Sequence, residues 1–280
     1  MQQNAELSEF LRSRRARLSP AEIGVATDGG ARRVPGLRRA ELARLAGVSV
    51  DYYTRLEQGR HLNVSDSVLD AVARALQLDE VERGYLFDLT RQRPKRTRRA
   101  ARAQRVRPGV LAMLDSLDEH SPAFVLGRGM DVLATNRLAR ALITDFGALP
   151  ARERNMARFI LLDESARELF PDWTAIAIES VGILRLAAGR YPDDPRLTGL
   201  VGELAMKSPE FRRWWSDHHV REKTHGTKRY HHPVVGDLTV SYESITFPDD
   251  PDQTMCVYTV PPGSADEAAL RLLANWTASQ

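Results

Sequence analysis

Apolar residues recur at three- and four-residue intervals through the first 90 residues, and this spacing predicts a series of short helices. The first helix spans about 6–17, with an apolar face and a basic face. Segment 41–60, ELARLAGVSVDYYTRLEQGR, predicts two short helices separated by Gly47, because glycine tolerates the positive φ of a tight turn. Two further helices are expected within 65–89. Five short helices in this length predict an all-α first domain.

A different pattern follows in the second part of the chain. Two short apolar runs within 123–136 are split by Gly127 and Gly129 and predict a β-hairpin. The remaining predicted elements, in order, are a long helical stretch at about 150–219, strands near 228–232, 237–247 and 254–260, and a helix at 264–276. This order predicts an α+β domain with a five-stranded antiparallel sheet and a helical insertion.

Charge separates the same two parts. Residues 1–108 hold 22 Lys and Arg against 13 Asp and Glu, whereas residues 109–280 hold 18 against 24. The net charge of +3 therefore combines a basic first part with an acidic second part. A basic domain suits a polyanion such as DNA, because neutralised phosphates release counterions.

The segment 91–107 carries nine basic residues and no acidic one, so it is expected to separate the domains at 1–90 and 108–280. Two interpretations of it remain open, a solvated linker and a tether that contacts phosphates.

The lone Cys256 cannot form an internal disulfide, and no apolar run approaches the length of a membrane span. The polar, acidic N-terminus also lacks the pattern of a secretory signal. We therefore expect a cytoplasmic, nucleoid-associated protein with no membrane partner.

Residues 38–60 resemble the helix-turn-helix of the phage-repressor-like XRE family. The resemblance lies in the apolar face of the first helix, in Gly47 and in Ser49 as the cap of the second helix. It extends to Leu89, and the long connection 18–37 departs from the family pattern. The resemblance implies that the second helix lies in the DNA major groove.

This placement predicts two groups of DNA-contacting residues. Arg55 is expected to bind a guanine edge, and Tyr52 or Val50 a thymine methyl, while Asp51 either accepts from cytosine or offsets the helix dipole. The expected base-contacting residues are Ser49, Val50, Asp51, Tyr52, Thr54 and Arg55. The expected phosphate contacts are Arg38, Arg39, Gln58, Arg60 and His61.

The second domain resembles the MmyB-like ligand-binding domain of actinobacterial regulators, which has a PAS-like fold. The segments that carry this resemblance are VLGRGMDVLATN, ARELFPDW, YPDDPRL, SPEFRRWW, YHHPVVGDLTVSYE and DPDQTMCVYT. The resemblance implies an apolar pocket for a small ligand, fatty-acid-like or a secondary metabolite. The candidate ligand-binding residues are Phe124, Asn136, Trp215, His219, His232, Tyr242 and Tyr258.

Five of the seven histidines lie between His218 and His232, a clustering that raises the possibility of a metal site. Their spacing does not match common zinc motifs, so we expect no metal, and we expect His219 and His232 to hydrogen-bond in the core or line the pocket. No nucleophile motif or phosphate-binding loop is present, which argues against an enzyme and against a cofactor.

These features together predict a regulator that binds double-stranded DNA as a homodimer. Its recognition helices would lie about 34 Å apart on a near-palindromic operator, and a small apolar ligand would alter its DNA affinity. Two alternatives remain for the second domain, a protein-interaction or oligomerisation module and a cryptic enzyme.

Overall fold

A computed structural model describes residues 2–21, 23, 36–60, 64–91, 104–118 and 120–278. The chain forms two compact units. The first unit contains residues 1–100 and also 185–194 and 213–221, and the second contains 101–184, 195–212 and 222–280.

Five helices from the N-terminal part build the first unit. They are α1 (Gln2–Arg17), α2 (Arg39–Leu45), α3 (Val50–Glu57), α4 (Asp66–Ala75) and α5 (Glu80–Thr90). Side chains cap three of them, because Ser49, Ser65 and Asp79 each accept a hydrogen bond from a backbone N–H of the first turn. The predicted five-helix domain is therefore confirmed.

The core of the first unit consists of apolar side chains from all five helices, including Phe10, Leu42, Leu56 and Tyr85. Two residues from much later in the chain, Leu186 and Val220, pack against the same core. The later segments 185–194 and 213–221 thus belong to the packing of this unit.

The second unit contains one five-stranded antiparallel sheet in the order β2-β1-β5-β4-β3. The strands are β1 (Ala123–Leu126), β2 (Val132–Thr135), β3 (His225–His232), β4 (Gly236–Phe247) and β5 (Asp250–Thr259). Both the hairpin β1–β2 and the antiparallel sheet confirm the predicted fold class. Strand β5 begins four residues before the predicted start, because β4 and β5 form a tight hairpin in which Phe247 pairs with Asp250.

The predicted long helical stretch consists of five separate helices and an irregular start. The remaining helices of the chain are α6 (Pro108–Ser116), α7 (Arg137–Leu142), α8 (Met156–Leu162), α9 (Glu164–Leu169), α10 (Trp173–Arg190), α11 (Pro195–Lys207), α12 (Pro209–Ser216) and α13 (Ala265–Ala278), with short 3-10 turns at Arg128–Met130 and Phe146–Ala148. Among the described residues no helix has the length and hydropathy needed to cross a membrane.

The sheet of the second unit has two different faces. On one face Ala123, Val125 and Met255 form a core with Val110 and Leu114 of α6. Because successive residues of a strand point to opposite faces, Phe124, Cys256 and Tyr258 lie on the other face. Helix α6 thus covers the first face, and the second face carries the aromatic residues of the candidate ligand site.

Candidate nucleic-acid interface and candidate ligand site

Helix α3 is held in place at its start and along its inner face. Gly47 has φ of +66° and ends the turn after α2, and the Ser49 hydroxyl accepts a hydrogen bond from the Tyr52 N–H at 3.1 Å. Tyr53 and Leu56 are fully buried in the first unit's core. These contacts fix which face of α3 is turned outward.

Glu57, at the end of α3, joins this helix to its two neighbours. Its carboxylate accepts hydrogen bonds from Arg15 Nε at 2.7 Å and Nη2 at 3.1 Å, and from Arg39 Nε at 2.7 Å. Burial alone would raise the pKa of Glu57, but the bonds from Arg15 and Arg39 lower it below its ordinary value. An ionised, buried Glu57 therefore ties α3 to α1 and α2.

The outward face of α3 carries the predicted base-contacting residues. Val50 is 48% exposed, and Asp51 and Arg55 are also exposed. Tyr52 and Thr54 are half-buried, and Ser49 is exposed although its hydroxyl caps the helix. The face is thus continuous and contains a guanidinium, hydroxyls and an apolar side chain.

Arg55 has an ion pair on the same face, because its Nη2 lies 2.8 Å from Asp51 Oδ2 one turn earlier. Both side chains remain more than half exposed. This pairing holds the guanidinium along the helix surface while solvent still reaches it.

The predicted phosphate contacts lie at both ends of this helix pair. Arg38 is exposed, and its backbone N–H donates to Glu41 Oε2 at 2.6 Å in the cap of α2. Arg39 is 43% exposed beside Glu57, and Gln58 and Arg60 are exposed after α3. His61 and residues 92–103 of the basic segment lie outside the described residues.

A buried charged network connects α1 and α5 with the later segments of the first unit. Arg185 is fully buried, and it donates to the Glu6 carboxylate and to the Trp215 carbonyl. Glu6 Oε1 also accepts from the Tyr85 hydroxyl at 2.8 Å, and Arg185 Nη1 lies 2.9 Å from His218 Nδ1. We call this group of residues, Glu6, Tyr85, Arg185, Trp215 and His218, the Arg185 network.

The electrostatics of the Arg185 network centre on Glu6. Burial by itself raises the pKa of this carboxyl, but the hydrogen bond from His218 and the charge of Arg185 lower it to about 2. Glu6, Glu9 and His218 also place one possible metal ligand each within 4.8 Å of one another. The positive charge beside the Glu6 carboxylate comes from the Arg185 guanidinium, which donates a hydrogen bond to it.

Three of the predicted ligand-binding residues share one aromatic cluster in the second unit. The ring centroids of Phe124 and Tyr258 are 5.5 Å apart, and those of Tyr242 and Tyr258 are 6.3 Å apart. Phe170 and Tyr230 extend the cluster, with centroids 5.2 Å apart. All five rings are buried, so the cluster forms an apolar region on one face of the sheet.

The other four predicted ligand-binding residues have different surroundings. The Asn136 carboxamide oxygen caps α7 and also accepts from the Ala123 N–H, and His232 Nε2 lies 2.9 Å from the Ala141 carbonyl oxygen. Trp215 and His219 belong to the first unit, where the Trp215 ring lies under Arg185 and His219 contacts Arg17.

Lys228, which is not among the predicted site residues, lies beside this aromatic cluster. Its Nζ is 3.4 Å from the Tyr258 hydroxyl, and Lys223, on the segment before β3, pairs with Glu179 at 3.2 Å. The rarity of lysine could have drawn attention to Lys228, because the chain contains only four lysines, Lys95, Lys207, Lys223 and Lys228. Two of the four lysines thus lie at one site, in a protein whose cationic residues are mostly arginine.

A cleft of this unit, about 680 Å³, is lined mainly by charged side chains. Arg158 and Lys207 both pair with Glu203 there, and Arg196 pairs with Asp131. Because its cations and acids pair with each other, this cleft differs from the apolar site that the sequence predicts.

Comparison with known families agrees with these two sets of features. A model of a helix-turn-helix domain matches residues 6–86, and a model of the MmyB-like transcription regulator ligand binding domain matches residues 106–273. The protein is therefore a DNA-binding transcription regulator with a ligand-binding domain.

The second match covers more than half of the chain, so the chain belongs to the family of MmyB-like transcription regulators. No curated protein matches it.

Proposed function

We propose that this regulator binds a near-palindromic operator as a homodimer, through the exposed face of α3, and that a small apolar ligand in the second domain alters its affinity for DNA. The observation that carries the DNA-binding part is the exposure of Val50, Asp51 and Arg55 on a helix whose opposite face is anchored by Glu57. A dimer suits such a module, since two recognition helices about 34 Å apart contact successive major-groove half-sites.

The side chains of α3 suit direct contact with base edges. Arg55 can donate two hydrogen bonds to a guanine, which is worth about 1–3 kcal/mol of discrimination against another base. To do so it must exchange its contact with Asp51, and an exposed ion pair of this kind costs less than about 1 kcal/mol to break. In this proposal Arg38, Arg39, Gln58 and Arg60 contact the flanking phosphates.

The test is binding of the purified protein to DNA from its own promoter, measured by mobility shift across a salt series. The affinity of the wild type should fall steeply as the salt concentration rises. Arg55→Ala should lower the preference for the specific site over unrelated DNA. Arg271→Ala is the matched control, because Arg271 also pairs one turn away, with Glu267 at 2.8 Å, and is exposed on α13. Equal loss of specificity in both variants, or none in Arg55→Ala, would contradict the assignment.

The dimer and the ligand response need separate measurements. Light scattering should give the mass of two chains in the DNA-bound protein, and a monomer on a single half-site would refute the dimer.

A ligand that binds the DNA-competent and incompetent states equally does not change the equilibrium between them. The apolar ligand must therefore bind one state more tightly and change operator affinity to be an effector. The aromatic cluster supports an apolar ligand, because aromatic rings bury a large apolar area.

A further inference from the structure

The amine of Lys228 is surrounded by aromatic rings. Its Nζ lies 5.5 Å from the ring centroid of Phe170, 5.8 Å from that of Tyr258 and 5.9 Å from that of Tyr242. Lys228 keeps some accessible surface, although protein atoms surround its amine. Polar groups of this kind are costly to bury unless they find hydrogen-bond partners.

Hydrogen-bond donors outnumber acceptors around this amine. When protonated, this amine has three N–H donors, and among the described residues its one hydrogen bond is to the Tyr258 hydroxyl at 3.4 Å. The hydroxyl of Tyr230, which is 1% exposed, has no hydrogen-bond partner among the described residues. Tyr230 is two residues from Lys228 on β3, so both side chains lie on the same face of the sheet.

A second lysine near this amine has the same charge sign as an ammonium. Lys223 Nζ lies 4.0 Å from the Tyr242 ring centroid, and Glu179, the acid nearest to the two lysines, already pairs with Lys223. The other titratable groups near the amine are Cys256, Tyr230, Tyr242 and Tyr258. Burial, and then the proximity of Lys223, hold the pKa of Lys228 well below its ordinary value.

We propose that Lys228, Tyr230 and Tyr258 bind the carboxylate of an aromatic carboxylic acid, whose flat ring system packs among the surrounding aromatic side chains. A carboxylate supplies the acceptors that these donors lack, and aromatic walls pack well edge-to-face or offset against a flat ring. This inference rests on the proposed ligand response of the second domain and specifies the chemical class of its ligand.

Binding of such an acid should take up a proton. In the free protein the amine is largely neutral above its lowered pKa, whereas a bound carboxylate favours the ammonium. The affinity should therefore fall as pH rises, by up to about tenfold per pH unit. Calorimetry in two buffers with different ionisation enthalpies measures this uptake directly.

The experiment compares three probes on the full-length protein by isothermal titration calorimetry: 2-naphthoate, the neutral 2-naphthalenemethanol and the alkyl acid decanoate. Wild type should bind 2-naphthoate about 10- to 100-fold more tightly than the alcohol, as a charge-assisted hydrogen bond would give. Lys228→Met should remove this difference. Lys207→Met, which removes an exposed lysine paired with Glu203, should keep it.

Tyr230→Phe provides a second variant that removes only one hydroxyl of the site. It should weaken 2-naphthoate by about fivefold and leave the alcohol unchanged. Equal binding of acid and alcohol by wild type, or undiminished acid binding by a folded Lys228→Met, would overturn the proposal.

Two results separate this proposal from the proposed function. If the alcohol binds and shifts operator affinity but the acid has no advantage, ligand sensing stands and the carboxylate site is refuted. If decanoate binds as tightly as 2-naphthoate, the assignment to aromatic acids is wrong.

Discussion

Glu57 joins α3 to two other helices of the first unit. It lies at 1% side-chain exposure with two guanidinium partners on two other helices. Its neighbour Gln58 is among the predicted DNA contacts and Glu57 is not, because an acid at the end of a helix usually faces solvent. Only the folded arrangement of Arg15 and Arg39 explains why a carboxylate is buried there.

Removal of this carboxylate should destabilise the first unit. Glu57→Ala leaves Arg15 with a buried, unpaired charge, and the expected loss in the free energy of unfolding is about 3–5 kcal/mol. Glu80→Ala is the control, since Glu80 is 93% exposed and lies 3.9 Å from Arg83, and it should change little. Denaturant titration measures both, and similar small effects would show that Glu57 does not anchor α3.

Glu6 should make part of the free energy of unfolding depend on pH. Its folded pKa is about 2 and its ordinary value is 4.5, so the folded state binds this proton less tightly than the unfolded state. The stabilisation is therefore complete above about pH 4.5 and is lost as pH falls toward 2.

The matched variant for this dependence is Glu6→Gln. The difference in unfolding free energy between wild type and variant should be larger at pH 7 than at pH 3, as followed by circular dichroism. A difference that does not change with pH would contradict the ion-paired state of Glu6.

At the scale of elements, local signals in the sequence specified most of the first unit. Ser49, Ser65 and Asp79 begin helices where the capping pattern predicts them, because a cap depends only on residues three positions away. The hairpin β1–β2 was predictable for the same reason. Pairing of β1 with β5 joins residues more than 100 positions apart, and no local pattern encodes it.

Lys228 shows why part of the candidate site escaped prediction. Strand β3 reads HGTKRYHH, and its polar residues hide the alternation that marks a buried face. Its neighbours Phe170 and Tyr258 come from distant parts of the chain, so the aromatic surroundings of the amine exist only in the folded sheet.

Two glycines of the first unit should respond oppositely to alanine. Gly47 has φ of +66°, so Gly47→Ala should destabilise by about 1 kcal/mol although its Cβ would meet nothing within 4 Å. Gly84 lies inside α5 with equally open space, so Gly84→Ala should stabilise by up to about 1 kcal/mol. Thermal unfolding compares the two, and a shift in the same direction for both would contradict the assigned turn.

At the scale of the whole molecule, the first unit is not made from one continuous stretch of sequence. The Arg185 network uses residues that lie within the ligand-binding family match, and Gly189 allows close packing on Tyr85, because a Cβ there would lie 2.2 Å from its ring. Helix α10 has Glu179 in the second unit and Arg185 in the first. Such long-range packing could not be predicted from periodicity.

Arg185→Met tests this dependence in the full chain. The variant leaves Glu6 without its buried cation, and the first unit should lose about 3–5 kcal/mol of stability together with operator binding. Arg190→Met, on the same helix, removes an exposed arginine 3.4 Å from Asp88 and should cost less than about 1 kcal/mol. Hydrogen exchange in α1 and α5 reports the effect, and unchanged protection in Arg185→Met would refute it.

The Arg185 network also limits how this regulator can be engineered. A chimera that fuses residues 1–100 to an unrelated sensor would keep the proposed DNA-contacting residues of α3, yet it would lack Arg185, Trp215 and His218, which contact α1 and α5. Transplantation of the DNA specificity to a new sensor therefore requires either these later segments as well or a redesign of Glu6 and Tyr85 into an apolar surface.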